Sequence, residues 1–120
     1  MKIAEQLAVT WIECWNRGDP DAIPLAESFT HTSPFGRVAG REEYLEWVKP
    51  LARQNVTELK ILRTLGDDEQ AVIHFVMQTP GGPVEVCDWI VADGDRIAAI
   101  HSFYDASGLR EPGQDSPPGS

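Results

Sequence analysis

The sequence predicts an α+β domain in which N-terminal helices pack on one face of a curved antiparallel sheet. Two observations carry that expectation. Apolar residues recur every three or four positions from Ile3 to Leu51, then every second position from Val56 onward. The second half is also cut by short turn-forming clusters, Gly66-Asp67-Asp68-Glu69, Thr79-Pro80-Gly81-Gly82-Pro83 and Asp93-Gly94-Asp95. Connections that short join antiparallel neighbours, so the strands form a meander.

The first helix buries Ile3, Leu7, Trp11, Cys14 and Trp15, and Asn16-Arg17-Gly18 ends it with a residue suited to a left-handed cap. A second short helix is expected from Asp19 as N-cap and Pro20 as first helical residue, limited to about two turns. Residues 29–33 alternate as a short strand, closed by the turn Ser33-Pro34-Phe35-Gly36. Gly40 precedes a third helix with Tyr44, Leu45, Trp47, Val48 and Leu51 on its apolar face and Pro50 disturbing its last turn. Residues 56–65, 71–78, 84–92 and 97–105 are the strands. The domain is therefore 1–105, and the Gly-, Pro- and Ser-rich stretch 106–120 reads as a flexible tail.

The chain has 120 residues, 42% of them hydrophobic, with four Trp, four Phe and two Tyr. That is enough for one buried core. Ten basic against nineteen acidic residues give a net charge of −9, which argues against nucleic acid or an anionic membrane as partner. No apolar run approaches the roughly 20 residues of a membrane span. Cys14 and Cys87 lack the spacing of a zinc site or disulfide framework. These features read as a soluble, cytoplasmic protein that uses no metal or organic cofactor, since no metal-ligand cluster or phosphate-binding glycine motif is present.

Asp88 is the informative acid. It interrupts the apolar run Val84-Glu85-Val86-Cys87-Asp88-Trp89-Ile90-Val91, where an unpaired carboxylate is costly. If the turn 79–83 sets Gln78 opposite Val84, His74 lies directly opposite Asp88, with Cβ atoms about 4.5–5.5 Å apart. The tight turn at Asp93-Gly94-Asp95 then sets Asp88 opposite Ile100 and Val86 opposite Ser102. One face carries His74, Val76, Val86, Asp88, Ile90, Ile100, Ser102 and Tyr104, an apolar surface with convergent polar groups, as in a small-molecule pocket. The other face carries Phe75, Met77, Cys87, Trp89, His101 and Phe103, and is expected to pack against a second copy as a homodimer. The His74–Asp88 pair has two readings, an acid/base tuned toward neutral pH or a polar pair that fixes strand register. His31 and Ser33 either reach the same cavity or cap a strand end, and Trp11, Trp15 and Trp47 are core or pocket wall. Phe29, Phe35 and Tyr44 complete the expected walls around a small hydrophobic ligand or substrate.

Residues 11–19, Ser33-Pro34-Phe35-Gly36, Gly40-Arg41-Glu42, Asp93-Gly94-Asp95-Arg96-Ile97 and Ser102-Phe103-Tyr104-Asp105 together resemble the nuclear transport factor 2-like (NTF2-like) superfamily, in its SnoaL-like branch. The resemblance covers 3–105 and implies a cone-shaped α+β barrel, often dimeric, around a hydrophobic cavity. SnoaL-like polyketide cyclases close a ring by aldol condensation with a His and an acid/base Asp on adjacent strands, which His74 and Asp88 match. Against ketosteroid isomerases, Asp88 matches the oxyanion-hole Asp, but the base falls on Ser33 and the Tyr on Trp11, so that reaction is not implied. Two functions follow as expectations. One is cofactor-independent proton transfer, an isomerisation or aldol-type cyclisation of a small hydrophobic carbonyl substrate, with Asp88 as acid/base and His74 orienting it. The other is a non-catalytic dimer that binds a small ligand or serves structure alone.

Overall fold

The computed structural model describes residues 1–55 and 58–107. Helix α1 spans Ile3–Asn16 and α2 spans Arg41–Asn55. The strands are β1 (Leu25–Ser33), β2 (Gly36–Ala39), β3 (Glu58–Gly66), β4 (Gln70–Thr79), β5 (Gly82–Asp93) and β6 (Arg96–Phe103). They form one sheet in the order β2-β1-β6-β5-β4-β3, with the helices on its concave face. Bulges between Leu25 and Thr30, Ile61 and Arg63, and Val91 and Ala92 give the bends that wrap the sheet around the helices. The α+β class and the curved sheet are as the sequence predicts.

Several details differ. The expected second helix is a single 3₁₀ turn, Pro20–Ala22, because Ile23 and Pro24 take the chain straight into β1. The strand expected at 29–33 begins at Leu25, and β2 after the Ser33–Gly36 turn makes a hairpin with it. β1 runs parallel to β6, so the sheet is mixed rather than wholly antiparallel. Residues 56–57 of the strand expected at 56–65, and the expected tail beyond Ser107, lie outside the described residues.

The decisive difference is one residue of register. Pro80-Gly81 alone forms the β4–β5 turn, with Thr79 paired to Gly82 and Thr79 Oγ1 donating to the Gly82 carbonyl at 2.8 Å. Gln78 therefore faces Pro83 rather than Val84, and Ile73 rather than His74 faces Asp88. An odd shift exchanges the faces of β4. Phe75 and Met77 turn into the concave core, while His74 and Val76 turn outward, where His74 Nε2 meets Glu85 Oε1 at 2.8 Å. At β5–β6 the shift is two residues, so Asp88 faces Ser102 instead of Ile100, and the faces are unchanged.

Helix α1 is tied to the sheet at both ends. Its first turn meets the β3–β4 turn, where Ala4 N donates to the Asp67 carbonyl and Ile3 N to Asp68 Oδ1. Asp67 Oδ1 in turn accepts from Glu69 N and Gln70 N at 2.8 Å each, bonds that hold its carboxyl below its ordinary pKa. At the other end Gly18, at φ +69°, turns the chain out of the helix, and the Asn16 amide pairs with both backbone groups of Leu59 on edge strand β3 at 2.8 Å. The β3–β4 turn has no room for a side chain at Gly66: a Cβ there would lie 2.4 Å from the Gln70 carbonyl oxygen. Gly66→Ala should cost about 1–3 kcal/mol, the usual range for forced overpacking. Urea unfolding checks this, and an unchanged midpoint would contradict it.

Candidate functional site

Asp88 lies at the middle of β5 and points into the concavity, 2% exposed. Trp11, reaching down from α1, donates its indole N–H to Asp88 Oδ2 at 2.9 Å. The other oxygen, Oδ1, is fully buried and has no hydrogen-bond partner. Burial pushes the Asp88 carboxyl up to about 6, and the Ser102 hydroxyl and Trp11 indole pull it partly back. Ser102 Oγ also lies 2.9 Å from Nε2 of the buried His31, from β1. Burial, with His101 adding a smaller repulsion, lowers the His31 pKa to about 4, so the ring is neutral at pH 7.

These groups face a cavity of about 50 Å³ lined by Trp11, Trp15, His31, Tyr44, Trp47, Val48, Leu59, Phe75, Met77, Val86, Asp88, Ser102 and Tyr104. Tyr44, from α2, is wholly buried, and its hydroxyl has no hydrogen-bond partner. Burial and the nearby Asp88 raise the Tyr44 pKa well above 10, against a lowering influence of Trp15. Tyr104 rises to about 12, chiefly by burial, with Ser33 acting the other way. The Trp11, His31 and Tyr44 rings form one cluster, with centroids 5.0 Å apart for His31–Tyr44 and 5.8 Å for Trp11–Tyr44. A wider groove of about 440 Å³ lies between Glu27 and the start of α2 at Gly40, Arg41, Glu42 and Glu43. Its three carboxylates are exposed to solvent, so it lacks the apolar enclosure that shifts Asp88.

Of the residues expected in the site, Trp11, Trp15, His31, Tyr44, Trp47, Val86, Asp88, Ser102 and Tyr104 line the cavity. Phe29, Ile90 and Ile100 are core residues behind it, and Ser33 is buried with its hydroxyl accepting from Phe35 N. Phe35 rests against Trp47 and Tyr104 at centroid distances of 6.2 and 6.3 Å. His74 and Val76 are on the convex face, and the expected His74–Asp88 pair does not exist. Sequence reasoning missed Phe75 and Met77, through the register error, and Val48 and Leu59. Among the described residues no cluster of His, Cys, Asp and Glu is arranged to hold a metal ion, and no helix is long and apolar enough to cross a membrane.

Small-molecule sites are concave and mostly apolar with a few placed polar groups, and the cavity beside Asp88 has that composition. Residues 8–100 match the model of the SnoaL-like domain, and the chain belongs to that family. No curated protein matches the sequence significantly. Solved structures share the fold at low identity. A protein from Kribbella flavida superposes with a TM-score of 0.81 at 19% identity, covering 88% of each chain. A Pseudomonas aeruginosa steroid delta-isomerase gives 0.71 at 19% identity, over 88% of this chain and 81% of its own. A hypothetical protein of ketosteroid isomerase-like fold from Catenulispora acidiphila, solved in complex with trimethylamine, gives 0.73 at 16% identity, over 87% and 88%. Likeness at these identities establishes the fold alone.

The two perturbed groups have opposite linkage. Asp88 holds its proton in the folded state up to about pH 6, whereas the unfolded carboxyl loses it near 3.8, so its contribution is present at low pH and lost as pH rises through about 6. His31 titrates near 4 folded and 6.5 unfolded, so its contribution is present above 6.5 and lost as pH falls through about 4. Each is worth about 3 kcal/mol. They should nearly cancel between pH 4 and 6.5 in the wild type. Asp88→Asn should gain stability as pH rises across that interval, and His31→Gln should lose it. Urea unfolding from pH 4 to 7 tests the pair, and parallel profiles for both variants would contradict the assignment.

Proposed function

We propose that this SnoaL-like protein carries out cofactor-independent proton transfer on a small, mostly apolar carbonyl compound, with Asp88 as acid/base. The observation that carries the reading is Asp88 Oδ1, an unpartnered buried carboxylate oxygen on a residue that lines an apolar cavity. Burial places its pKa near 6, close to the working pH an acid/base needs. The ionised Oδ1 removes a proton α to the carbonyl, and the electron pair of that C–H bond moves onto the carbonyl oxygen. The Tyr44 hydroxyl, buried on the cavity wall with its proton unpaired, is the donor available to that oxygen. The proton held by Asp88 then returns to a different carbon in an isomerisation. In a cyclisation the enolate carbon attacks a second carbonyl of the same molecule, whose oxygen takes the proton. Trp11 holds Oδ2 and leaves Oδ1 to react. A cavity of about 50 Å³ accommodates roughly four heavy atoms, so the reacting part of the substrate is small.

A second reading, ligand binding without turnover, draws on the aromatic enclosure of the cavity and on the trimethylamine bound to the Catenulispora acidiphila protein of like fold. Both readings are compatible with a homodimer, which we propose uses the convex face at Trp89, Val91 and Phe103, exposed by 47, 36 and 52%. Phe75 and Met77 take no part, since they face the core.

The proton-transfer reading is tested with acetone and butanone in D₂O, following deuterium incorporation by NMR. The wild type should exceed the buffer rate, and Asp88→Asn should lower the catalysed rate about 10²–10⁴-fold. A wild type no faster than buffer, or a variant as fast as the wild type, would sink the assignment. The dimer is tested by Trp89→Glu, which should convert it to monomer in multi-angle light scattering; a monomeric wild type at micromolar concentration would refute it.

A further inference from the structure

Proton transfer requires one acid/base and one donor, yet most of the cavity wall is aromatic. Beside the His31 imidazole, six Trp, Tyr and Phe rings line it, those of Trp11, Trp15, Tyr44, Trp47, Phe75 and Tyr104. Neighbouring planes are inclined by 67° for Trp11–Trp15, 35° for Trp11–Tyr44 and 37° for Tyr44–Trp47, so the rings curve around the space instead of stacking flat. The face of each ring is the negative end of its quadrupole.

Around Asp88 the polar atoms add acceptors, beside the Trp15 and Tyr44 donors on the same wall. Asp88 Oδ1 is a fully buried acceptor without a donor. Ser102 Oγ lies 2.9 Å from Nε2 of the neutral His31. The other His31 nitrogen, Nδ1, is also buried and unpartnered. The groups facing Asp88 are Tyr44 from α2, His31 from β1, Tyr104 beyond β6 and Trp11 from α1, and none is cationic at neutral pH. Among the described residues no Lys or Arg lines the cavity. The chain's net charge of −9 adds a field that attracts cations from solution.

We propose that the cavity is a receptor for a small secondary or tertiary alkylammonium ion, whose N–H donates to Asp88 Oδ1 and whose alkyl groups lie against the aromatic walls. This rests on the ligand-binding reading and names its ligand class. Aromatic faces stabilise alkylammonium ions more than neutral groups of the same shape, most strongly where water is excluded. The cavity volume of about 50 Å³ limits the enclosed head to roughly four heavy atoms. A ligand that small binds with a Kd of about 0.05 mM or weaker. The cation occupies the oxygen that would abstract a proton, so it excludes a carbonyl compound from the same place.

Tryptophan fluorescence reads the binding, since Trp11, Trp15 and Trp47 line the cavity, and Trp89→Phe removes the signal from the convex face. At pH 7.5 and constant ionic strength, trimethylammonium chloride should give a saturable change at least about 10-fold tighter than tert-butanol, a neutral group of similar bulk. Tetramethylammonium, without an N–H, should bind more weakly than trimethylammonium. Asp88→Asn should weaken trimethylammonium about 10- to 100-fold and tert-butanol far less. In the unsubstituted chain the affinity should fall as pH drops through about 6, which tests the same point without a substitution at Asp88. Equal affinity for trimethylammonium and tert-butanol, or a cation affinity independent of pH from 5 to 7.5, overturns the proposal and leaves the ligand-binding reading standing. Binding of neither probe overturns both.

Discussion

The hydrogen bond from Trp11 Nε1 to Asp88 Oδ2 is the contact on which the interior depends. It joins residues 77 positions apart, from the middle of α1 to the middle of β5. An indole long enough to reach the sheet keeps the helix axis away from the strands, and the space so created is the cavity. Trp11 also packs edge-on against Trp15 and beside Tyr44, so one side chain sets the spacing of α1, α2 and the sheet. Leu or Phe in its place would fill volume but take the indole N–H from Oδ2 inside an apolar core, a costly change.

Around that contact the molecule divides polar from apolar by strand parity. On β5, Val86, Asp88 and Ile90 face inward while Cys87, Trp89 and Val91 face outward. On β6, Ile100 and Ser102 face inward while His101 and Phe103 stack on the outside at 4.2 Å between centroids. A single polar residue per strand therefore suffices to bring Asp88, Ser102 and His31 together, because β1, β6 and β5 are adjacent. The parallel pairing of β1 with β6 places His31 beside Ile100, one residue along from Thr30 and Ala99, and within reach of Ser102.

Much of this was legible in the sequence, and the failures have identifiable causes. The change of period at the middle of the chain located both helices and the last four strands. Asp88 stood out because nothing else in its strand is polar on that face, and its inward direction survived a two-residue error at the β5–β6 turn because parity is unaffected by an even shift. His74 failed because Thr79-Pro80-Gly81-Gly82-Pro83 offers two turn lengths, and composition alone does not choose between them. The alternation offered a clue: placing Phe75 and Met77 inside leaves His74 beside Glu85, whereas the longer turn exposed two large apolar side chains. β2 is four residues long and largely exposed, too short to show a period. The Trp11–Asp88 bond and the cap that the β3–β4 turn places on α1 are long-range contacts without a local signal.

A structural role for Asp88 would be met equally by Asn, whose side-chain carbonyl accepts from Trp11 with no charge to bury. The carboxyl is the weaker choice for stability near neutral pH, because burial raises its pKa to about 6 and its ionised form then costs about 3 kcal/mol. That cost is set against one property an amide lacks, a second oxygen that carries negative charge. Oδ1 is that oxygen, buried and unpartnered, while Trp11 satisfies Oδ2. Stability is thus lower where an ionisable group meets a cavity, which is the pattern of a site maintained for a ligand rather than for the fold.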